Sequence, residues 1–195
     1  MAGIVIVGAG QAGSSLAIKL RTLGYKGDVT LIGEEPVPPY QRPPLSKKYL
    51  LGDMALDRLY LRPRDFYTEQ LISLRLNTQV TAINCAKNTI SIGDEALSYE
   101  HLALTTGSIP RQLPAAIGGA LNDVFTVRNL ADVDAMQPAF ERGGHVLIVG
   151  GGYIGLEAAA VAAAKGLQVT LVEMADRILQ RVACTETSDY FRVLH

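Results

Sequence analysis

Twice in this chain a run of β-branched residues ends in a three-glycine turn, passes into a helical stretch and returns as a second apolar run closed by a glutamate. In the first copy Gly3 to Val7 leads into Gly8-Ala-Gly-Gln-Ala-Gly13. A helix is predicted over Ser14 to Leu23 with Gly24 closing it, and Val29 to Ile32 leads to Gly33-Glu34. In the second copy, about 140 residues later, His145 to Val149 leads into Gly150-Gly-Gly-Tyr-Ile-Gly155. An alanine-rich helix then runs to Lys165, Gly166 ends it, and Val169 to Val172 leads to Glu173. The acid follows the third glycine by 21 residues in the first copy and by 18 in the second. A lone G-x-G-x-x-G is a weak signal, and one such copy is readily a mere strand-to-helix turn. Two copies, each between a strand and a helix and each with its acid, make the dinucleotide-binding fingerprint.

The chemistry of the fingerprint is direct. Gly8 permits the tight turn, Gly10 lets the backbone approach a pyrophosphate, and Gly13 lets the helix pack closely on its strand. Gln11 and Ala12 lie in the turn before the helix, whose free N–H groups and partial positive charge suit phosphates. Glu34 would accept hydrogen bonds from ribose hydroxyls. Gly150, Gly152, Tyr153, Ile154, Gly155 and Glu173 repeat these roles. A carboxylate at Glu173 also repels a ribose 2′-phosphate, and Arg177, four residues on, compensates only in part; the second unit is expected to prefer NADH to NADPH.

Between the copies the pattern changes. Five of the nine prolines fall between Pro36 and Pro44, which predicts an ordered loop. Short helices are expected at Ser46 to Leu50 and Asp65 to Leu71. Val80 to Ile83 and Thr89 to Ile92, with turns at Asn88 and Gly93-Asp94, suggest a small antiparallel meander. Leu102 to Gly107 returns to a buried strand ending in a glycine turn, Ile109 to Asp123 reads as a linker, and Leu130 to Phe140 as a helix with Asp132 near its start. The fold class is therefore α/β: two Rossmann-like three-layer units, the first with a β-meander insertion. The expected boundaries are 1–110, a linker over 111–125, and 126–195. A net charge of −1 and the absence of like-charge runs give no sign of nucleic-acid binding. The apolar runs fall well short of the ~20 residues of a membrane span, and the N-terminus opens on a strand rather than a leader, so a reducing cytoplasm is the expected compartment. Cys85 and Cys184 lie 99 positions apart and form no C-x-x-C pair. His101, His145 and His195 share no metal spacing, and no metal site is expected.

The stretch L-I-G-E-E-P-V-P-P-Y-Q-R-P-P-L-S-K-K-Y-L from Leu31 resembles the FAD-dependent, NADH-linked ferredoxin and rubredoxin reductases, among them the reductase components of bacterial oxygenase systems. T-T-G at Thr105 to Gly107, F-T-V-R-N-L-A-D from Phe125 and G-G-G-Y-I-G-L-E-A-A from Gly150 match as well. The resemblance implies that Gly8 to Gly13 and Glu34 hold the FAD pyrophosphate and adenosine, that Arg42 and Lys47 reach the flavin side, and that Val80 meets the adenine through its backbone. It further implies that Thr106 and Gly107 close over the cofactor, that Arg128 contacts it, and that the second unit binds NADH. Lys47 and Glu157 are the implied catalytic pair, joined as a salt bridge. A ferredoxin or rubredoxin is the implied electron acceptor. Family members are roughly twice as long, so the resemblance expects a second FAD segment and a flavin-covering domain outside these residues, and little reductase activity from the 195 residues alone.

Plainer readings stand beside these. Arg42, Lys47 and Arg128 could be ordinary surface cations and Val80 a core residue. Glu157 could sit in the first helical turn merely to favour the helix dipole. A non-catalytic nucleotide-binding module, or a flavin reductase for another acceptor such as monodehydroascorbate, would share the fold. A disulfide reductase is disfavoured by the lack of paired cysteines.

Overall fold

A computed structural model describes residues 3–194. They fall into two compact units, and the division does not follow sequence order: residues 3–41 and 56–108 form one, residues 42–55 and 109–194 the other. The segment 42–55, inside the first unit by sequence, thus clusters with the second.

The first unit is built on four parallel strands. These are β1 (Ile4–Val7), β2 (Val29–Ile32), β3 (Ile72–Arg75) and β7 (His101–Leu104), in the order β3-β2-β1-β7. Successive side chains of β1 face opposite ways, and the core divides accordingly. Ile6 joins Val29, Leu31, Ile72, Ala17 of helix α1 (Gln11–Thr22) and Tyr67 of helix α3 (Arg64–Glu69) on one face. Val5 joins Ile32, Ile90 and Tyr99 on the other, beneath a three-stranded antiparallel meander of β4 (Ala82–Asn84), β5 (Thr89–Ile92) and β6 (Glu95–Ser98). Helices, parallel sheet and meander are the three layers. Tyr67 and Ser14 share a hydrogen bond of 2.8 Å that ties α3 to α1 within that core, and burial raises the Tyr67 phenol pKa above its ordinary value.

Two strands escape the sequence pattern. Ile72-Ser-Leu-Arg follows directly on the helix expected over Asp65 to Leu71, in a stretch the pattern leaves unassigned; Leu71, with φ of 54°, turns the chain out of α3 and into the edge strand β3. Glu95-Ala-Leu-Ser carries no β-branched residue and becomes β6 by pairing with β5, Ile90 opposite Leu97. The expected turns at Asn88 and Gly93 are present, with φ of 49° and 55°.

The second unit has helix α4 (Leu130–Arg142), strand β8 (His145–Val149), helix α5 (Tyr153–Ala164), strand β9 (Gln168–Val172) and helix α6 (Thr185–Leu194). The single-turn helix α2 (Lys48–Leu51) is contributed by the earlier segment. A reciprocal capping box starts α4: Asn129 Oδ1 accepts from Asp132 N–H, and Asp132 Oδ2 accepts from Asn129 N–H. β8 and β9 pair in parallel, Ile148 opposite Leu171. Their exposure alternates, and Leu147, Val149 and Val172 are 62%, 54% and 44% exposed; α5 covers the other face. Among the described residues no helix is long and apolar enough to cross a membrane.

Candidate nucleotide-binding site

The first glycine turn joins β1 to α1. Gly8 has φ of 113°, which disfavours any side chain, and a Cβ there would lie 2.1 Å from Thr105 O. Thr105 Oγ1 donates to Gly8 O at 2.8 Å and to Val7 O at 3.2 Å. The residue after β7 therefore braces the turn after β1. A Cβ on Gly13 would lie 2.0 Å from Gly8 O and 3.0 Å from Leu31 Cδ1, so only glycine lets α1 sit this close to turn and strand. A Cβ on Gly10 would meet nothing within 4 Å: the open side of the turn is here. Gly10 caps α1 without any side-chain hydrogen bond, the first turn carries no acid, and Gln11 and Ala12 are exposed. These N–H groups at the positive helix end are available to an anion. Glu34, just past β2, is exposed and its carboxylate has no hydrogen bond among the described residues. Thr78 N–H donates to Gly33 O at 2.9 Å and brings the irregular segment leading to Val80 beside that end of β2; the strand expected from Val80 begins only at Ala82. Val80 packs its side chain on the meander core. Thr106 and Gly107 are exposed, Gly107 with φ of 71°. A depression of about 210 Å³ beside Gly3 and Asp28 lies at the opposite edge of the sheet; parallel sheets bind ligands at their carboxyl ends, where the glycine turn is.

The second turn repeats the first almost bond for bond. Gly150 has φ of 114°, and a Cβ on Gly155 would lie 2.0 Å from Gly150 O. Gly152 faces open space and caps α5 without a side-chain bond, and Tyr153 and Ile154 are exposed. The bracing differs. Gly151 N–H donates to Glu173 Oε2 at 2.7 Å, and Gly151 O accepts from Leu179 N–H at 2.9 Å. Glu173 Oε1 accepts from Ala175 N–H at 2.8 Å. The N–H groups of Ala175 and Gly151 hold the Glu173 carboxyl below the ordinary glutamate range. Arg177, a partial counterweight to that charge by sequence position, is turned elsewhere. Its guanidinium donates to Ser188 Oγ at 2.5 Å and to Cys184 O at 3.3 Å, and Ser188 Oγ in turn donates to Ile178 O at 2.7 Å.

Within the second unit, Lys47 Nζ and Glu157 Oε2 form the expected ion pair at 2.7 Å. Glu157 is not in the first turn of its helix. Tyr153 opens α5, so Glu157 is the fifth residue and the helix-dipole reading loses its basis, because that effect fades beyond the first turn. Its carboxylate is instead turned toward segment 42–55. Arg42 donates to Arg128 O at 2.7 Å, Tyr49 Oη to Asp134 Oδ1 at 2.7 Å, and Gln137 Nε2 to Tyr49 O at 3.3 Å. The Arg128 N–H donates to Asp132 Oδ2 at 2.8 Å.

Two residues of this machinery give no signal in the sequence. Thr105 stands beside the expected Thr106, but its role depends on β7 lying next to β1. Ser46, whose hydroxyl donates to Glu157 Oε2 at 2.5 Å, sits inside the R-P-P-L-S-K stretch, but its partner is 111 residues away.

The family model described as pyridine nucleotide-disulphide oxidoreductase matches residues 2–194. The chain belongs to that family. Among relatives in this oxidoreductase family, the ferredoxin reductase subunit of 5,5′-dehydrodivanillate O-demethylase from Sphingobium sp. is 46% identical over 98% of this chain and 46% of its own length. A rubredoxin-NAD(+) reductase of Pseudomonas putida is 40% identical over 97% of this chain and 49% of its own. The crystal structure of a covalent putidaredoxin reductase–putidaredoxin complex superimposes with a TM-score of 0.93 at 41% identity, covering 100% of this chain and 47% of that one. The chain thus spans about half the length of the curated relatives it matches.

Proposed function

We propose that this chain carries the nucleotide-binding turns of an NADH-dependent, FAD-containing reductase that delivers electrons to a small ferredoxin or rubredoxin in the cytoplasm. The observation that carries the reading is the pair of like-built glycine turns, each with an open glycine and an uncapped helix start. The names of the relatives support the acceptor class.

In this reading residues 1–110 include the FAD site and 126–195 the NADH site, with 111–125 between them. FAD, when bound, would supply the redox chemistry, that of a two-electron hydride acceptor able to release electrons singly. The first-turn N–H groups of α1 bind the FAD pyrophosphate across Gly10, and the free carboxylate of Glu34 binds the ribose hydroxyls. The backbone of Val80 meets the adenine, and Thr106 and Gly107 lie along the cofactor. Arg42, Lys47 and Arg128 are the cations assigned to the flavin. The start of α5, from Gly152 to Gly155, binds the NADH pyrophosphate, and Glu173 takes the adenosine ribose. An ionised Glu173 with Arg177 held by Ser188 disfavours a 2′-phosphate, which supports NADH over NADPH. Glu157 and Lys47 orient the nicotinamide and balance charge on the reduced flavin.

Titrating FAD into the purified chain and then adding NADH without oxygen tests this. Uptake of FAD and of NAD⁺ is the expected result, with slow or little loss of flavin absorption on NADH addition, since the chain spans about half the length of the reductases it matches. A chain that takes up neither FAD nor NAD⁺ overturns the proposal.

A further inference from the structure

The two donors that meet at Glu157 are not equivalent. Lys47 Nζ reaches Oε2 from an exposed, flexible four-carbon stem whose side chain is 45% accessible, and it also donates to Pro43 O at 3.2 Å. Ser46 Oγ reaches the same oxygen from a side chain only 4% exposed. Its backbone is the last residue of a 3-10 turn, Pro43–Ser46, that opens with two prolines and is anchored by Leu45, 2% exposed. The prolines fix φ, and the packed leucine fixes the turn against its surroundings. The serine hydroxyl is therefore aimed at the carboxylate by rigid parts, whereas the lysine arrives on a mobile one. Both donors fall on Oε2, and Oε1 has no partner among the described residues.

We infer that Ser46 is the positioning residue for Glu157: it holds Oε2 so that Oε1 stays presented to a primary amide, the carboxamide of a nicotinamide nucleotide. This rests on the proposed NADH site. A hydroxyl donating to a carboxylate is a short, charge-assisted hydrogen bond. It persists when the ammonium of Lys47 is drawn to another acceptor, so Glu157 keeps its direction while Lys47 is free to act elsewhere. Without it, a carboxylate held only by a lysine would swing with that lysine.

The test compares two ligands that differ only in the nicotinamide that bears the carboxamide. NAD⁺ and ADP-ribose share adenine, both riboses and the pyrophosphate; ADP-ribose lacks the nicotinamide. Their affinities for the parent chain and for Ser46→Ala and Ser46→Thr are measured by isothermal titration calorimetry, with no flavin reduction required. Loss of one such hydrogen bond is expected to weaken NAD⁺ binding about fivefold to tenfold in Ser46→Ala. ADP-ribose binding should stay unchanged and Ser46→Thr should restore NAD⁺ binding. Equal losses for both ligands, or none for NAD⁺, overturn the inference. If Ser46→Ala does not fold, Ser46→Cys, which keeps the volume but donates weakly, takes its place: a loss confined to NAD⁺ supports the inference, and equal losses or none overturn it. A parent chain that binds neither ligand overturns the functional reading itself and this inference with it, an outcome distinct from a parent that binds both with Ser46 indifferent.

Discussion

The two glycine turns agree in their interior and differ in what stands behind them. Gly8 and Gly150 share φ near 113–114°, and the Cβ clash at Gly13 and Gly155 is with the same carbonyl at the same 2.0 Å. Behind Gly8 stands β7, which brings Thr105 O to 2.1 Å of a would-be Cβ; behind Gly150 there is nothing within 4 Å. The second turn is braced instead by the chain that follows it, through Glu173 and Leu179 at Gly151. A local motif fixes its own backbone, while the fold chooses the brace: a neighbouring strand in a four-stranded sheet, a returning loop beside a two-stranded one.

The sharpest way to break the parallel is at the third glycines. Gly13→Ala forces a methyl against Gly8 O, Thr105 Oγ1 and Leu31, and should lower stability by about 3 kcal/mol or more in urea unfolding. Gly155→Ala meets Gly150 O but has looser surroundings, with Ile148 Cγ2 at 3.5 Å, and should cost less. At the first glycines the contrast widens. Gly150→Ala bears only its positive φ, about 1–3 kcal/mol, whereas Gly8→Ala adds a backbone collision; equal unfolding midpoints for the two would refute the bracing argument. Thr105→Val removes the single hydroxyl proton shared between Gly8 O and Val7 O, about 1 kcal/mol, and should weaken FAD retention on a desalting column while leaving NAD⁺ affinity untouched.

The brace on the second turn adds a pH signature. Glu173 has a folded pKa depressed from its ordinary value near 4.5, so its stabilisation is present above that value and is lost as pH falls through the lowered one. Glu173→Gln should flatten the acid limb of a thermal-midpoint-against-pH curve and leave the neutral limb nearly parallel to the parent. The smallest effect is expected at Ser188→Ala, which loosens Arg177. The ratio of NADPH to NADH affinity should rise about twofold to threefold, and an unchanged ratio would mean that the held arginine has no part in cofactor choice.

What can be read from the sequence tracks how local each constraint is. The turns are legible because strand, glycines, helix and acid all lie within about 30 consecutive residues, and the start of α4 because Asp132 lies close to it. The Lys47–Glu157 pair comes from family resemblance, not from spacing. Thr105 and β3 escape because their meaning comes from strand order: Thr105 acts only because β7 is β1's neighbour, and Ile72-Ser-Leu-Arg is a strand only because β2 accepts it. Ser46 belongs with them, a small polar residue whose partner lies 111 positions on.

The placement of residues 42–55 bears on how such a protein can be taken apart and recombined. The chain changes unit after residues 41, 55 and 108, so a single cut at the apparent linker does not yield two inheritable modules. A chimera joined there would carry Arg42, Ser46, Lys47 and Tyr49 from one parent and their partners Arg128 O, Glu157 and Asp134 from the other. Recombinants should keep their ion pair only when that fourteen-residue segment is exchanged together with the second unit, making it the natural cassette boundary for building hybrids in this family.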